Sequence, residues 1–195
     1  MKRKLMYLRI SLLLLLCGCG HGHTPKPFQT QLAGYSIRFP ITVAELQKEY
    51  PDGRTVGVGY DRFVDSTQSI KTEWWFDTSG FDSKSNRYPD SPSHGVVMFL
   101  SNKESKFDSV KTALEQYYKQ PLKPLQFTES RGDFSGLKPI WVAHINEDCF
   151  LVLTKSDTYR SSSPNSLRIA IGYGLTKKEQ EAFALLGGDT YDDKL

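Results

Sequence analysis

Segments with the hydrophobic pattern of strands and segments with that of helices do not alternate along this 195-residue chain. The predicted order is one strand, a helix, several strands, a second helix, four more strands and a third helix. A doubly wound parallel sheet needs a helix after nearly every strand, so this order argues against one. We therefore predict an α+β fold with a mainly antiparallel sheet and about three helices packed on one face of it.

Two of the three predicted helices begin with a capping box, in which a Thr and a Glu three residues later satisfy the first backbone N–H groups. The two boxes are Thr42-Val43-Ala44-Glu45 and Thr176-Lys177-Lys178-Glu179. The remaining helix is predicted between residues 105 and 120, with its start capped by Ser105 and Asp108. Its apolar side chains recur at helical spacing: Phe107, Val110, Leu114 and either Tyr117 or Tyr118.

Residues 69–77 alternate in the manner of a strand that is half buried. One face is predicted to carry Ile70, Thr72, Trp74 and Phe76, and the other Lys71, Glu73, Trp75 and Asp77. Trp75 is a large aromatic residue among polar neighbours. We expect it either to pack beneath a neighbouring loop or to serve as an exposed anchor for a partner.

Two polar segments interrupt the strand patterns. Residues 78–94 contain Gly80, Pro89 and Pro92, and a loop of this length is usually functional or disordered. A second polar segment, 156–165, is rich in Ser. Each segment contains one aromatic residue that we predict to be exposed, Tyr88 in the first and Tyr159 in the second. Because aromatic residues commonly anchor interfaces, we predict that these two residues and Trp75 bind a partner.

The chain starts like a secreted protein. Four basic residues, Lys2, Arg3, Lys4 and Arg9, precede the apolar run Ile10 to Leu16, and small residues follow that run. This is the pattern of a signal peptide. A membrane-spanning helix needs about 18 or more apolar residues, and Arg9 and Gly18 leave too short a run.

The end of that segment, Leu16-Cys17-Gly18-Cys19, resembles the lipobox of bacterial lipoproteins. The resemblance implies cleavage before Cys19 and attachment of a diacylglyceryl group to its thiol, with further acylation of the new amino terminus. More than one acyl chain gives stable membrane anchoring. It also implies a bacterial cell-envelope protein, and Gly20, which is not Asp, favours the outer membrane, facing the periplasm or the surface, if the host is Gram-negative.

The predicted organisation therefore has three parts. Residues 1–18 are a cleaved signal peptide, 19–27 a lipidated flexible tether with Gly and Pro, and 28–195 a single α+β domain. Cleavage of the signal peptide removes four of the 25 basic residues and none of the 22 acidic ones, so the net charge of the mature chain is close to zero. A neutral chain without a basic stripe does not suggest a nucleic-acid partner.

The remaining thiol, Cys149, is predicted to be a small buried apolar residue. The alternative is a nucleophile paired with His144 across the 146–148 turn, which would require a lowered pKa of the thiol. Acids such as Asp61, Asp65 and Glu73 could pair for acid–base chemistry, which is a further alternative. Ser135-Gly136-Leu137-Lys138 matches the S-x-x-K pattern but lacks the helix that the pattern needs. We predict no metal and no cofactor.

Two functions remain open. The first is a non-catalytic module that binds an envelope protein, a toxin or hydrolase, or a glycan, in addition to its lipid contact with the membrane. The second is an envelope hydrolase with an unrecognised Asp, Glu and His site that includes His94 or His144. The absence of a recognisable catalytic motif favours the binding module.

Overall fold

A computed structural model describes residues 24–56, 62–66, 70–76, 92–101, 103–125, 140–155 and 166–186. These residues form ten strands and three α-helices. The strands are β1 Phe28–Leu32, β2 Tyr35–Phe39, β3 Arg54–Val56, β4 Arg62–Asp65, β5 Lys71–Phe76, β6 Ser93–Leu100, β7 Lys123–Pro124, β8 Ile140–His144, β9 Cys149–Lys155 and β10 Leu167–Tyr173. The helices are α1 Val43–Glu49, α2 Phe107–Tyr118 and α3 Lys177–Leu186.

Eight strands form one sheet in the order β3-β4-β5-β6-β10-β9-β8-β7, and every neighbouring pair in it is antiparallel. The strands β1 and β2 form a separate antiparallel hairpin. The prediction of an α+β fold with a mainly antiparallel sheet is therefore confirmed. Both edge strands of the large sheet are short, and β7 ends in Pro124, which are features that discourage pairing between molecules.

One face of the large sheet carries most of the core, and we call it the hairpin face. Its buried side chains include Trp74 of β5, Met98 of β6 and Ile171 of β10. The β1–β2 hairpin, α1 and α2 contribute side chains to the same cluster, for example Ile37, Leu46 and Leu114. Burial of this large apolar surface is the main stabilising contribution to the fold.

The opposite face packs against α3, and we call it the α3 face. The strand residues that alternate with those of the hairpin face point to this side. They include Val97, Val152 and Ala170, and they form a second buried cluster with Phe183 and Ala184 of α3. The sequence predicted all three helices on one face, whereas α3 lies opposite α1 and α2. The reason is that the central strands are apolar on both faces, so each face needs a cover.

Both predicted capping boxes are present. In α1 the Thr42 side chain accepts from the Glu45 backbone N–H at 3.3 Å, and the Glu45 carboxylate accepts from the Thr42 N–H at 2.8 Å. Thr176 and Glu179 form the same pair at the start of α3. In α2 the predicted cap by Ser105 is wrong, because a 3-10 turn over Glu104–Lys106 leads into the helix and no side chain caps it.

The end of α2 resolves the alternative between its two adjacent tyrosines. Tyr118 is partly buried and packs against the core of the hairpin face. Tyr117 is 57% exposed and is the one large apolar side chain of the described residues that lies open to solvent. Its hydroxyl is 3.3 Å from the Thr30 hydroxyl and 3.5 Å from the Gln31 backbone nitrogen, so it contacts the outer edge of β1.

Candidate functional site

Trp75, a predicted binding residue, lies partly buried on the α3 face. Its ring makes an edge contact with Phe183 of α3, at 6.5 Å between ring centroids, and the Arg62 guanidinium lies 5.5 Å from the Trp75 ring. The indole nitrogen of Trp75 is buried and has no hydrogen-bond partner. Trp75 therefore packs beneath a helix, a position that the sequence alternatives of loop-covered residue and exposed anchor did not include.

Two glycines make room for the aromatic rings beneath α3. A Cβ atom at Gly95 would lie 2.5 Å from the Phe183 ring, and one at Gly172 would lie 2.1 Å from the Phe150 ring. Phe150 and Phe183 are in edge contact at 5.7 Å. The two glycines are neighbours across the β6–β10 pair. They therefore form a slot in the sheet into which α3 inserts Phe183.

Charged side chains surround this packing. Glu73 is buried on the α3 face, and its carboxylate lies 2.7 Å from the Lys71 ammonium and 3.7 Å from the Arg62 guanidinium. Arg168 donates a hydrogen bond from the sheet to the backbone carbonyl of Ala184 in the last turn of α3. Carbonyls in the last turn of a helix lack partners within the helix, and a cation there also offsets the helix dipole. These contacts make α3 an integral part of the sheet's packing.

The other predicted binding residues, Tyr88 and Tyr159, lie outside the described residues. The same is true of residues 78–91 of the predicted loop 78–94. The end of that segment is described, and β6 already begins at Ser93. Among the described residues, Tyr117 is an exposed aromatic candidate that the sequence did not identify. The signal for it was the pair Tyr117-Tyr118, since adjacent residues on a helix cannot both face the core.

Cys149 and His144 lie on opposite faces of the sheet. Cys149 belongs to the buried cluster of the hairpin face. His144 pairs with Phe150, a residue of the α3 face, and its side chain is exposed. Burial, with a smaller effect of Asp148, raises the pKa of the Cys149 thiol to about 12. The hypothesis of a Cys–His nucleophile is therefore wrong, and the prediction of a buried Cys149 is confirmed.

The carboxylates of Asp65 and Glu73 are also separated by the sheet. Asp65 pairs with Thr72 on the hairpin face and accepts a hydrogen bond of 2.7 Å from the Tyr35 hydroxyl. Glu73 pairs with Val97 on the α3 face. A shared acid–base site requires both groups to reach one substrate, so these two carboxylates do not form one. His94, the other His considered for a hydrolase site, is half-buried, with its ring 6.3 Å from that of Phe183.

The first described residues of the chain are bound to the domain rather than free. The Lys26 backbone N–H donates to the Asp148 carboxylate at 2.9 Å, and the Pro25 carbonyl accepts from the Tyr173 hydroxyl at 3.2 Å. Gly174 faces the Pro25 ring so closely that a Cβ atom there would lie 2.8 Å from it. The tether was predicted to run to residue 27, but contact with the domain already begins at Pro25.

The geometry of the described residues offers neither a metal centre nor a membrane span. No three or more of their His, Cys, Asp and Glu side chains are grouped so that they would hold a metal ion. Within the same residues, no helix has the length and apolar character needed to cross a bilayer. Comparisons with protein-family models, with curated proteins and with solved structures find no match for this chain.

Proposed function

We propose that this protein is a lipid-anchored binding module of the bacterial cell envelope. Its anchor is the acylated Cys19, and in a Gram-negative host it belongs to the outer membrane, on the periplasmic face or the surface. Its partner is an envelope protein, a secreted toxin or hydrolase, or a glycan. The lipobox-like end of the signal segment supports the anchor.

One observation carries the choice of binding over catalysis. Among the described residues, Cys149 and His144 lie on opposite faces of one sheet, and so do Asp65 and Glu73, two of the three acids that the sequence offered for acid–base chemistry; the third, Asp61, lies outside the described residues. Strand geometry fixes this separation, since neighbouring residues of a strand point to opposite faces. A side-chain rearrangement does not bring the members of either pair together.

The anchor is tested by fractionating cells that produce Cys19→Ser, with Cys17→Ser as the matched control. Both substitutions remove one thiol from the same short segment, and only Cys19 is predicted to carry lipid. We expect Cys17→Ser in the membrane fraction and incorporating labelled palmitate, and Cys19→Ser without label. Equal labelling of the two variants would contradict the proposed anchor.

The binding function is tested by cross-linking and capture from native membranes. We would compare the full lipoprotein with a soluble form that starts at Thr24, because a start at Phe28 would remove the contacts of Pro25 and Lys26 with the domain. We expect one partner to be captured by both forms. Capture of no partner by either form, with the fold intact by circular dichroism, would count against a binding module.

The surface involved is located with single variants of the soluble form. Tyr117→Ala removes an exposed ring that lies outside the buried core, so a loss of capture without a loss of stability reports on contact with the partner. Trp75→Phe is preferable to Trp75→Ala, since Trp75 packs against Phe183 and its removal would perturb the fold. Variants that keep the wild-type melting temperature but lose the partner identify the binding surface.

A further inference from the structure

The contacts at the first described residues form a clamp on the chain, which we call the tether corner. It consists of Pro25, Lys26, Asp148, Tyr173 and Gly174. Asp148 is 7% exposed, and its carboxylate accepts from the Lys26 backbone while its carbonyl accepts from the Gly174 N–H at 2.9 Å. The clamp therefore ties the incoming chain to the end of β10 and to the turn before β9.

The turn that carries Asp148 is stabilised by a side chain of its own. The Asn146 side-chain oxygen accepts from the backbone N–H groups of Asp148 and Cys149, both at 2.8 Å. Asn side chains that bond to the backbone two residues later stabilise such turns. The backbone at Asp148 is thus held by contacts that do not involve the tether.

We propose that the tether corner is the membrane-facing end of the domain, apposed to the lipid surface that holds Cys19. This inference rests on the proposed lipid anchor. Five residues, 20–24, separate Cys19 from Pro25. A fully extended chain covers about 3.5 Å per residue, so Pro25 lies within roughly 20 Å of the acylated cysteine. The anchor therefore holds this corner of the domain close to the bilayer.

The far end of the sheet is defined by the strand registers. Tyr173 pairs with Cys149 at the tether corner, whereas Leu167 pairs with Lys155 and with Leu100 at the opposite end of the same strands. Strands of seven residues span about 20 Å or slightly more. Residues that follow Leu100, including the exposed Lys103, therefore lie at the end that faces away from the membrane.

The test places a spin label at one of two sites in protein held on a nanodisc. A chain of residues 19–195 is coupled through the Cys19 thiol to a maleimide lipid, which makes the test independent of acylation in cells. Cys149 is buried and does not compete for the maleimide. A ketone-bearing amino acid replaces Glu147 or Lys103 and takes the label. Glu147 suits this use because its side chain is 76% exposed, and an ion pair as exposed as that with Lys26 contributes little to stability.

Nickel-chelating lipids in the disc then report the proximity of each label to the lipid surface. We expect relaxation enhancement several-fold larger at position 147 than at position 103. Equal enhancement at the two positions, or a larger value at 103, would overturn the proposed orientation. Failure of the cellular acylation of Cys19 would contradict the proposed function alone, because the chemical coupling supplies the anchor here.

The clamp itself is tested by Asp148→Ala combined with Tyr173→Phe, which removes both hydrogen bonds to the tether. Freed residues 25–27 add about 10 Å of reach, so the difference between the two label positions should shrink. Tyr50→Phe removes a hydroxyl that bonds to Glu49 at the end of α1, outside the tether corner, and should leave the difference unchanged. An unchanged difference in the double variant, with an intact fold, would show that the clamp does not set the orientation.

Discussion

Gly95→Ala tests whether the slot under α3 positions that helix. The added Cβ atom would lie 2.5 Å from two carbon atoms of the Phe183 ring, a distance at which the ring or the helix must move. Phe183 is 7% exposed and contacts the rings of Trp75 and Phe150, so the ring has little room to move alone. We expect the strain to reach α3 through Phe183.

The expected change in the free energy of unfolding follows from what overpacking does in buried cores. Inserting a methyl group into a well-packed site destabilises by about 1–3 kcal/mol. In an open strand the same change would be favourable by about 0.5–1 kcal/mol, since Gly loses more backbone entropy on folding than Ala. The second close contact of the new Cβ, 3.2 Å from the Ile171 carbonyl oxygen, is present whatever residue occupies position 183.

A double-mutant cycle with Phe183→Leu isolates the ring contact. Free energies of unfolding are measured by urea denaturation of the soluble form that starts at Thr24. We expect Gly95→Ala to destabilise the wild type by about 1–3 kcal/mol and the Phe183→Leu background by at least about 1 kcal/mol less. The Ile171 contact cancels in this comparison.

Gly53→Ala is the matched control for the cycle. Its Cβ atom would lie 2.4 Å from the Phe63 ring in the hairpin-face core, so the same change meets a different ring. Gly53→Ala should lower the free energy of unfolding by the same amount whether Phe or Leu occupies position 183. If Gly95→Ala costs as much in the Phe183→Leu background as in wild type, the slot does not position α3 and the packing account is refuted.

Three further predictions concern single groups. At about pH 8 the native Cys149 thiol should resist thiol reagents and react once the chain is unfolded, because burial raises its pKa to about 12; rapid reaction of native protein would contradict this. Hydrogen bonds from Thr42 lower the pKa of Glu45 below its ordinary value of 4.5, so the ionised carboxylate stabilises the fold above that value. The advantage of wild type over Glu45→Gln in urea denaturation should therefore shrink between about pH 7 and about pH 3, and a constant difference would contradict it. Tyr35→Phe removes a hydrogen bond to the buried Asp65 and should cost about 1–3 kcal/mol by the same assay; a neutral effect would refute that role.

Local patterns in the sequence predicted local structure well. Alternation in residues 71–76 placed Trp74 and Trp75 on opposite faces of β5, as the structure has them. The two capping boxes located the starts of α1 and α3, because a cap depends on residues only three positions apart.

The strand β1 was not predicted. Its inward residues, Phe28, Thr30 and Leu32, alternate with the exposed Gln29 and Gln31, and Thr30 interrupts the apolar pattern that marks a strand. The hairpin turn that follows uses Ala33 and Gly34, both with positive φ, at 51° and 90°. A turn with Ala in this position lacks the usual Asn-Gly or Asp-Gly signal.

Features that depend on tertiary contacts were beyond the sequence. The slot combines Gly95 and Gly172 with Phe183, and nothing in the local sequence of either glycine indicates that a ring will lie above it. The side of the sheet on which α3 packs depends on the path of the chain after β10. Cys149 and His144 lie on opposite faces of the sheet because His144 pairs with Phe150, the residue after Cys149. The sequence alone did not reveal this pairing in the β8–β9 hairpin.

The lipid anchor at Cys19 can be observed by mass spectrometry of the amino-terminal peptide of the mature protein, isolated from the membranes of its host. We expect a peptide that begins at Cys19 and carries a diacylglyceryl group on the thiol, with residues 1–18 absent. A mature chain that begins elsewhere, or an unmodified Cys19 thiol, would contradict the lipid anchor.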